Sequence, residues 1–202
     1  DIINKNGIEH VIEDFKPDIV VAQVGKAIHF AIFFSKLKVP VIIYQRDALL
    51  HRYNDNFKLN EYISFISNSH FIAKKIEEKF GAKSLVLPPL IDFRNYRTSS
   101  IGNSVVHIGL SPEKGFNITI ELAKKRPDIT FMLVESWPLT HREINSLKYS
   151  LKDLHNVKII KRTNKMRNIY KHAKVLIVPS LWEEAWGRVV NEAQASGIPV
   201  LA

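Results

Sequence analysis

The stretch Val105-Val106-His107-Ile108-Gly109-Leu110-Ser111-Pro112-Glu113-Lys114-Gly115-Phe116-Asn117-Ile118-Thr119-Ile120-Glu121-Leu122-Ala123 decides the fold. It opens on a short branched apolar run, which predicts a strand over 105–109. A Gly, Ser and Pro loop follows, and Lys114-Gly115 leads into a helix. There Ile118, Leu122 and Ala123 share one face, while Glu121, Lys124, Lys125 and Arg126 lie largely elsewhere. Comparable runs bounded by polar residues or Pro recur at 18–23, 39–44, 62–66, 85–87, 129–134, 157–160, 175–179 and 199–202. They are nearly continuous rather than alternating, as expected of strands buried on both faces of a parallel sheet. Another helical stripe, Ile144, Leu147, Leu151 and Leu154, falls between two of them. Strand and helix repeated this often predict an α/β chain of doubly wound parallel sheets.

The chain has 202 residues, room for one large domain or two small ones. Hydrophobic residues make up 46% and charged residues 24%, with a mean hydropathy of −0.08. These are values of an ordinary globular chain and exclude collagen, coiled coil and disorder. Cysteine is absent, which removes disulfides, thiolate nucleophiles and Cys-based zinc sites together. No apolar run approaches the roughly 18 residues of a membrane-spanning helix. The mixed, polar start at 1–10 does not read as a secretory signal, and a chain starting at Asp1 without Met reads as processed or as part of something longer. The polar stretch 97–104 follows Pro88-Pro89 and reads as a linker. It divides the chain into a domain over 1–96 and a second over 105–202.

The net charge is +9 and is unevenly placed. From Arg142 to Lys174 ten Lys/Arg face only Glu143 and Asp153, a local +8. Such a patch suits nucleic acid, anionic lipid or a phosphorylated ligand, and equally a solvated lysine face.

Two loops hold the residues with chemistry. In Val178-Pro179-Ser180-Leu181-Trp182-Glu183-Glu184-Ala185-Trp186-Gly187-Arg188-Val189-Val190-Asn191-Glu192-Ala193 a strand ends at Pro179 and a helix begins near Trp186 or Gly187. Its N-terminus suits an anionic ligand. Glu184 before the helix and Glu192 within it could reach two parts of one ligand, since carboxylates accept hydrogen bonds from vicinal hydroxyls. Acids also favour helix starts for their own sake, so the pair alone leaves both readings open. Lys114, after the strand over 105–109, stands where ligands of parallel sheets bind and is a point charge for a phosphate. The loop matches neither a P-loop nor the dinucleotide Gly-x-Gly-x-x-Gly fingerprint, which sets a nicotinamide oxidoreductase aside. His107, inside a strand, reads as a satisfied core residue rather than a catalyst.

The order of strand, Lys114-Gly115 loop, two further βα units, Pro179-Ser180, Glu184, Glu192 and Ser196-Gly197-Ile198-Pro199-Val200 resembles the C-terminal half of the family-four retaining glycosyltransferases (glycosyl transferases group 1), which have the GT-B fold. Lys16-Pro17-Asp18-Ile19-Val20-Val21, Ile66-Ser67-Asn68-Ser69-His70-Phe71 and Leu87-Pro88-Pro89-Leu90-Ile91-Asp92 resemble passages of the N-terminal half, less specifically. The resemblance implies two Rossmann-like domains, the first incomplete and the second lacking its C-terminal end. It makes 1–96 the acceptor side and 105–202 the nucleotide-sugar donor side.

By position, the resemblance makes Lys114 a ligand of the donor diphosphate, Glu184 a contact of the donor sugar and Glu192 a ligand of the ribose hydroxyls. The backbone of Ala185, Trp186 and Gly187 would pack on sugar and phosphates. Lys114 and Glu184 are the expected catalytic pair. Arg188 is a candidate replacement for the Arg that many members have before the Lys. At Tyr44-Gln45-Arg46-Asp47, Arg46 and Asp47 stand in place of the usual acceptor-side His, and Val134-Glu135-Ser136-Trp137-Pro138 replaces a Gly-rich strand end. The implied activity is front-face transfer, with retention, from a nucleotide sugar to a saccharide or lipid-linked acceptor. It implies neither metal nor other cofactor and no nucleic-acid partner, and it suits the cytoplasm, with peripheral contact at an anionic inner membrane face. The alternative is a nucleotide-sugar-binding fragment or degenerate member without turnover.

Overall fold

The computed structural model describes residues 12–50 and 57–202. The chain forms two compact units, Asp1–Pro89 and Leu90–Ala202. The first holds β1 (Val20–Ala22), α1 (Ala27–Lys36), β2 (Val41–Gln45), β3 (Ile63–Ser67), α2 (His70–Phe80) and β4 (Ser84–Val86). Its strands pair in parallel in the order β1-β2-β3-β4. Alternate residues of β2 and β3 are buried, among them Val41, Ile43 and Phe65, with Ile28 and Ala31 of α1 and Ile72 and Ile76 of α2. Ser69 caps α2 by accepting from the Ile72 N–H at 3.2 Å, and Gly81 ends the helix in the left-handed conformation.

The second unit holds β5 (Ser104–Ile108), α3 (Phe116–Lys125), β6 (Phe131–Val134), α4 (His141–Ser150), β7 (Val157–Ile160), α5 (Met166–Lys171), β8 (Ala173–Ile177), α6 (Arg188–Gln194) and β9 (Val200–Leu201). Every strand pairing is parallel, in the order β7-β6-β5-β8-β9. All four residues of β6 are buried. Phe131 and Leu133 pack with Phe116, Ile120 and Ala123 of α3 and Leu147 of α4. Met132 and Val134 pack with Ile169 and Tyr170 of α5 and Ala193 of α6. Two apolar layers, one on each face, are why the β6 sequence has no polar alternation. The α/β fold of parallel sheets read from the sequence is the fold observed, and each strand lies within two residues of its expected position; the second sheet is doubly wound about β5, whereas the described strands of the first run in one direction, β1 to β4.

Three boundaries differ. The units divide at Pro89/Leu90, ahead of the stretch 97–104 expected as a linker. That stretch is fastened to the second unit: Thr98 N–H donates to Ser196 Oγ at 2.9 Å, Ile101 N–H to the Lys171 carbonyl at 3.2 Å, and the Ser100 hydroxyl to the Ala173 carbonyl. Gly102 lies so close to His172 that a Cβ would overlap the His172 carbonyl. Its composition reads as a loop, but its backbone polar groups find partners. β8 ends at Ile177 rather than Pro179, which has no N–H to donate. The last helix begins at Arg188, because Gly187 turns the chain with a φ of 69°.

Candidate active site

Two loops follow the C-terminal ends of the central strands β5 and β8, where ligands of parallel sheets bind. After β5 the chain turns at Gly109 (φ 104°), makes a 3₁₀ turn over Pro112–Lys114 and turns again at Gly115 (φ 75°) into α3. A side chain at Gly115 would overlap the Pro179 carbonyl, so the two loops meet backbone to backbone. Leu181 N–H donates to the Glu113 carbonyl at 2.8 Å and ties them. Beneath, buried His107 donates from Nε2 to the Gly109 carbonyl at 2.5 Å and accepts from the Thr119 hydroxyl at 2.7 Å. Burial, against the opposing effect of the Gly109 bond, lowers its pKa to about 4, so the ring is neutral near pH 7.

This packing brings Lys114 and Glu184 together. The Lys114 ammonium donates to Glu184 Oε1 and stands 4.7 Å from the centre of the Trp182 ring. The same oxygen accepts from the Ser180 hydroxyl at 2.8 Å and from Trp182 Nε1 at 3.0 Å. Burial works to raise the Glu184 pKa. Hydrogen bonds from Lys114, Trp182 and Ser180, with the charge of Lys114, outweigh it, and the net shift is downward. The pair keeps 24% and 30% of its side-chain surface, so it remains open to a ligand.

Residues 185–187 are half-buried and lead to a second cluster. Glu192 is 4% exposed, accepting from the Tyr170 hydroxyl at 2.8 Å on one oxygen and from Arg188 Nε at 2.9 Å on the other. Arg188 also donates to the Tyr96 hydroxyl at 2.8 Å. Burial and the Glu192 charge raise the Tyr170 pKa, keeping the phenol protonated. Arg188, the candidate for a missing phosphate-binding Arg, is thus held by Tyr96 and Glu192. Trp186 has a buried indole N–H with no hydrogen-bond partner among the described residues.

Arg46 and Asp47 lie in the first unit, after β2. Asp47 serves its own turn: its carboxylate accepts from Leu49 N–H at 3.0 Å and Gln45 Nε2 at 3.1 Å. The Arg46 guanidinium stands 5.8 Å from the centre of the Tyr44 ring, and its carbonyl accepts from Asn68 Nδ2 at 3.1 Å. The Asn68 side-chain oxygen is buried without a partner among the described residues.

Trp182, Tyr170 and Tyr96 were not singled out from the sequence, and Ser180 only as part of the Pro179-Ser180 motif, not as a partner of Glu184. Trp182 and Ser180 stand two and four residues before Glu184, a signal that could have been used. Nothing near Tyr96, 92 residues from Arg188, announces its partner. Among the described residues no group of three or more His, Cys, Asp and Glu is placed to hold a metal ion, and no helix is long and apolar enough to cross a membrane.

Residues 104–202, which include both clusters except Tyr96, match the family model described as Glycosyl transferases group 1. The second unit is a glycosyl transferases group 1 domain. No curated protein matches the chain. Among solved structures, the chain superposes on Anabaena HepE, determined in complex with UDP and glucose, with a TM-score of 0.78 and 22% identity, over 96% of this chain and 61% of HepE. Sucrose-phosphate synthase of Thermosynechococcus elongatus gives 0.73 and 13% identity, over 96% and 58%. A glycosyltransferase of Rickettsia africae gives 0.70 and 16%, over 99% and 63%. The chain therefore spans about three fifths of these relatives. It shares their GT-B fold of two Rossmann-like units, and the group 1 domain contains Lys114, Glu184, Arg188 and Glu192.

Proposed function

We propose that the protein is a retaining glycosyltransferase that moves a sugar from a nucleotide-sugar donor to a saccharide or lipid-linked acceptor. The observation that supports this best is the Lys114–Glu184 pair, at the strand ends of a group 1 domain and within reach of solvent. In this reading the donor diphosphate takes Lys114 from Glu184. The ammonium then stabilises the charge that develops on the leaving phosphate, worth most where water is excluded. Glu184, freed of its cation but still held by Ser180 and Trp182, accepts from hydroxyls of the donor sugar. The backbone of 185–187 lies against sugar and phosphates, and Arg188 with Glu192 forms the nucleotide end. For Glu192 to reach ribose hydroxyls, Arg188 must release one of its oxygens. Sugar transfer proceeds on one face of the ring without a metal, so turnover persists in a chelator. Arg46 and Asp47 are the acceptor-side candidates. The reaction takes place in the cytoplasm, with the basic segment 142–174 touching an anionic membrane face.

Calorimetric titration with UDP, UDP-glucose and other nucleotide sugars tests this reading. UDP leads the panel because HepE is known in complex with it. Saturable binding that weakens in Lys114→Ala far more for the diphosphate than for the nucleoside supports it. A folded chain that binds none of the panel overturns it. A binding role without turnover is the second reading, favoured by the closed state of Glu192, whose two oxygens are both taken. Donor binding without sugar release to water or acceptor would identify it.

A further inference from the structure

We propose that a groove at the N-terminal edge of the second unit's sheet binds a phosphate-bearing ligand through Arg97 and Arg167. The groove has a volume of about 750 Å³, and its walls include Arg94, Arg97, Thr98, Ser99, Arg167 and Ser196. Thr98 and Ser99 precede β5 and Ser196 precedes β9, whereas Lys114 and Glu184 follow the opposite ends of β5 and β8. A five-residue strand spans about 17 Å, so a molecule in this groove is not the donor seated at Lys114. The groove is therefore distinct from the Lys114–Glu184 pair.

Its charge is positive and largely uncompensated. Arg94 is paired with Asp92 at 2.9 Å, but among the described residues Arg97 and Arg167 have no carboxylate partner. Arg167 lies in the stretch 163–174, which holds three further Lys and no acid. One wall is fixed before any ligand arrives. Ser196 Oγ accepts from Thr98 N–H at 2.9 Å and donates to the Tyr96 carbonyl at 3.2 Å, which pins the segment bearing Arg97.

The chemistry selects the ligand. A guanidinium presents parallel N–H donors that match two oxygens of a phosphate, and the hydroxyls of Thr98 and Ser99 add neutral donors beside them. Among the described residues no aromatic ring lines the groove, so it offers no platform for a base, and a nucleotide or single-stranded nucleic acid is a poor fit. The group recognised is a phosphate, either of a soluble phosphoester or of a lipid headgroup.

Inorganic pyrophosphate is the probe, titrated calorimetrically into the Lys114→Ala chain so that the proposed donor site does not contribute. This chain is expected to bind pyrophosphate at the groove. Adding Arg97→Gln with Arg167→Gln is expected to weaken that binding at least about tenfold. The pair Lys124→Gln with Lys125→Gln removes equal charge from α3 and is expected to change it by less than about twofold. No binding, or equal weakening by both pairs, overturns the proposal. Sedimentation with phosphatidylglycerol-containing vesicles distinguishes the source. Vesicle binding lost with the arginine pair assigns the phosphate to a headgroup, and vesicles indifferent to it while pyrophosphate responds assign it to a soluble ligand. The arginines and the α3 lysines are exposed and Lys114 lies in a loop, so circular dichroism is expected to show each variant folded.

Discussion

Glu184 and Glu192 stand eight residues apart in one motif, yet the structure puts them in opposite situations. Glu184 hangs from a loop, gathers three donors on one oxygen and keeps nearly a third of its side-chain surface. Glu192 sits in α6, shares its oxygens between Tyr170 and Arg188, and is almost wholly buried. The first cluster can exchange partners at little cost, because its charges remain within reach of water. The second is part of the packing between α5 and α6. A single motif thus divides into a cluster open to solvent and a cluster built into the packing.

The largest test of this contrast is at Gly115. Gly115→Ala must drive a Cβ into the Pro179 carbonyl and hold a left-handed φ. Urea denaturation is expected to show a loss of more than about 3 kcal/mol, together with loss of nucleotide binding. Stability close to that of the parent would mean that the two loops do not meet as described.

Glu192→Ala comes next, leaving a buried tyrosine hydroxyl without its acceptor. A loss of about 2–3 kcal/mol is expected in the same assay. Glu192→Gln, which keeps the shape, is expected to lose less.

Acid sharpens the comparison from below. Between pH 4 and 6.5 the folded protein holds fewer protons on His107 than the unfolded chain does, so its contribution is whole above about 6.5 and falls as the pH drops toward 4. Linkage gives a loss of about 2 kcal/mol from pH 7 to pH 5, and His107→Gln is expected to flatten that part of the stability profile. An unchanged slope would remove His107 from beneath the Lys114 loop.

The smallest effect belongs to Glu184→Ala. A partly exposed ion pair contributes under about 1 kcal/mol, so denaturation is expected to move little while any measured sugar transfer falls steeply. A stability loss matching that of Glu192→Ala would erase the distinction between the two clusters.

The strands were legible because burial on both faces writes itself as an unbroken apolar run, as in β6. The loops of the candidate site were legible because glycine, proline and charged residues punctuate them. What connects the elements was not. Lys114 and Glu184 are 70 residues apart, and Tyr96 and Arg188 are 92 apart. Their meeting depends on the order in which strands enter the sheet, which local composition does not encode. The same holds for 97–104, whose polar residues suit a free linker but find partners in β8 and in the turn before β9.

The backbone contact between Gly115 and Pro179 works as a ruler. Because Gly115 interposes no side chain there, the distance from the lysine stem to the glutamate is set by a main-chain contact. The loops can therefore vary in their other side chains while the span between cation and carboxylate stays constant. A longer cation in place of Lys114 would overshoot that span, since the ruler cannot lengthen to meet it.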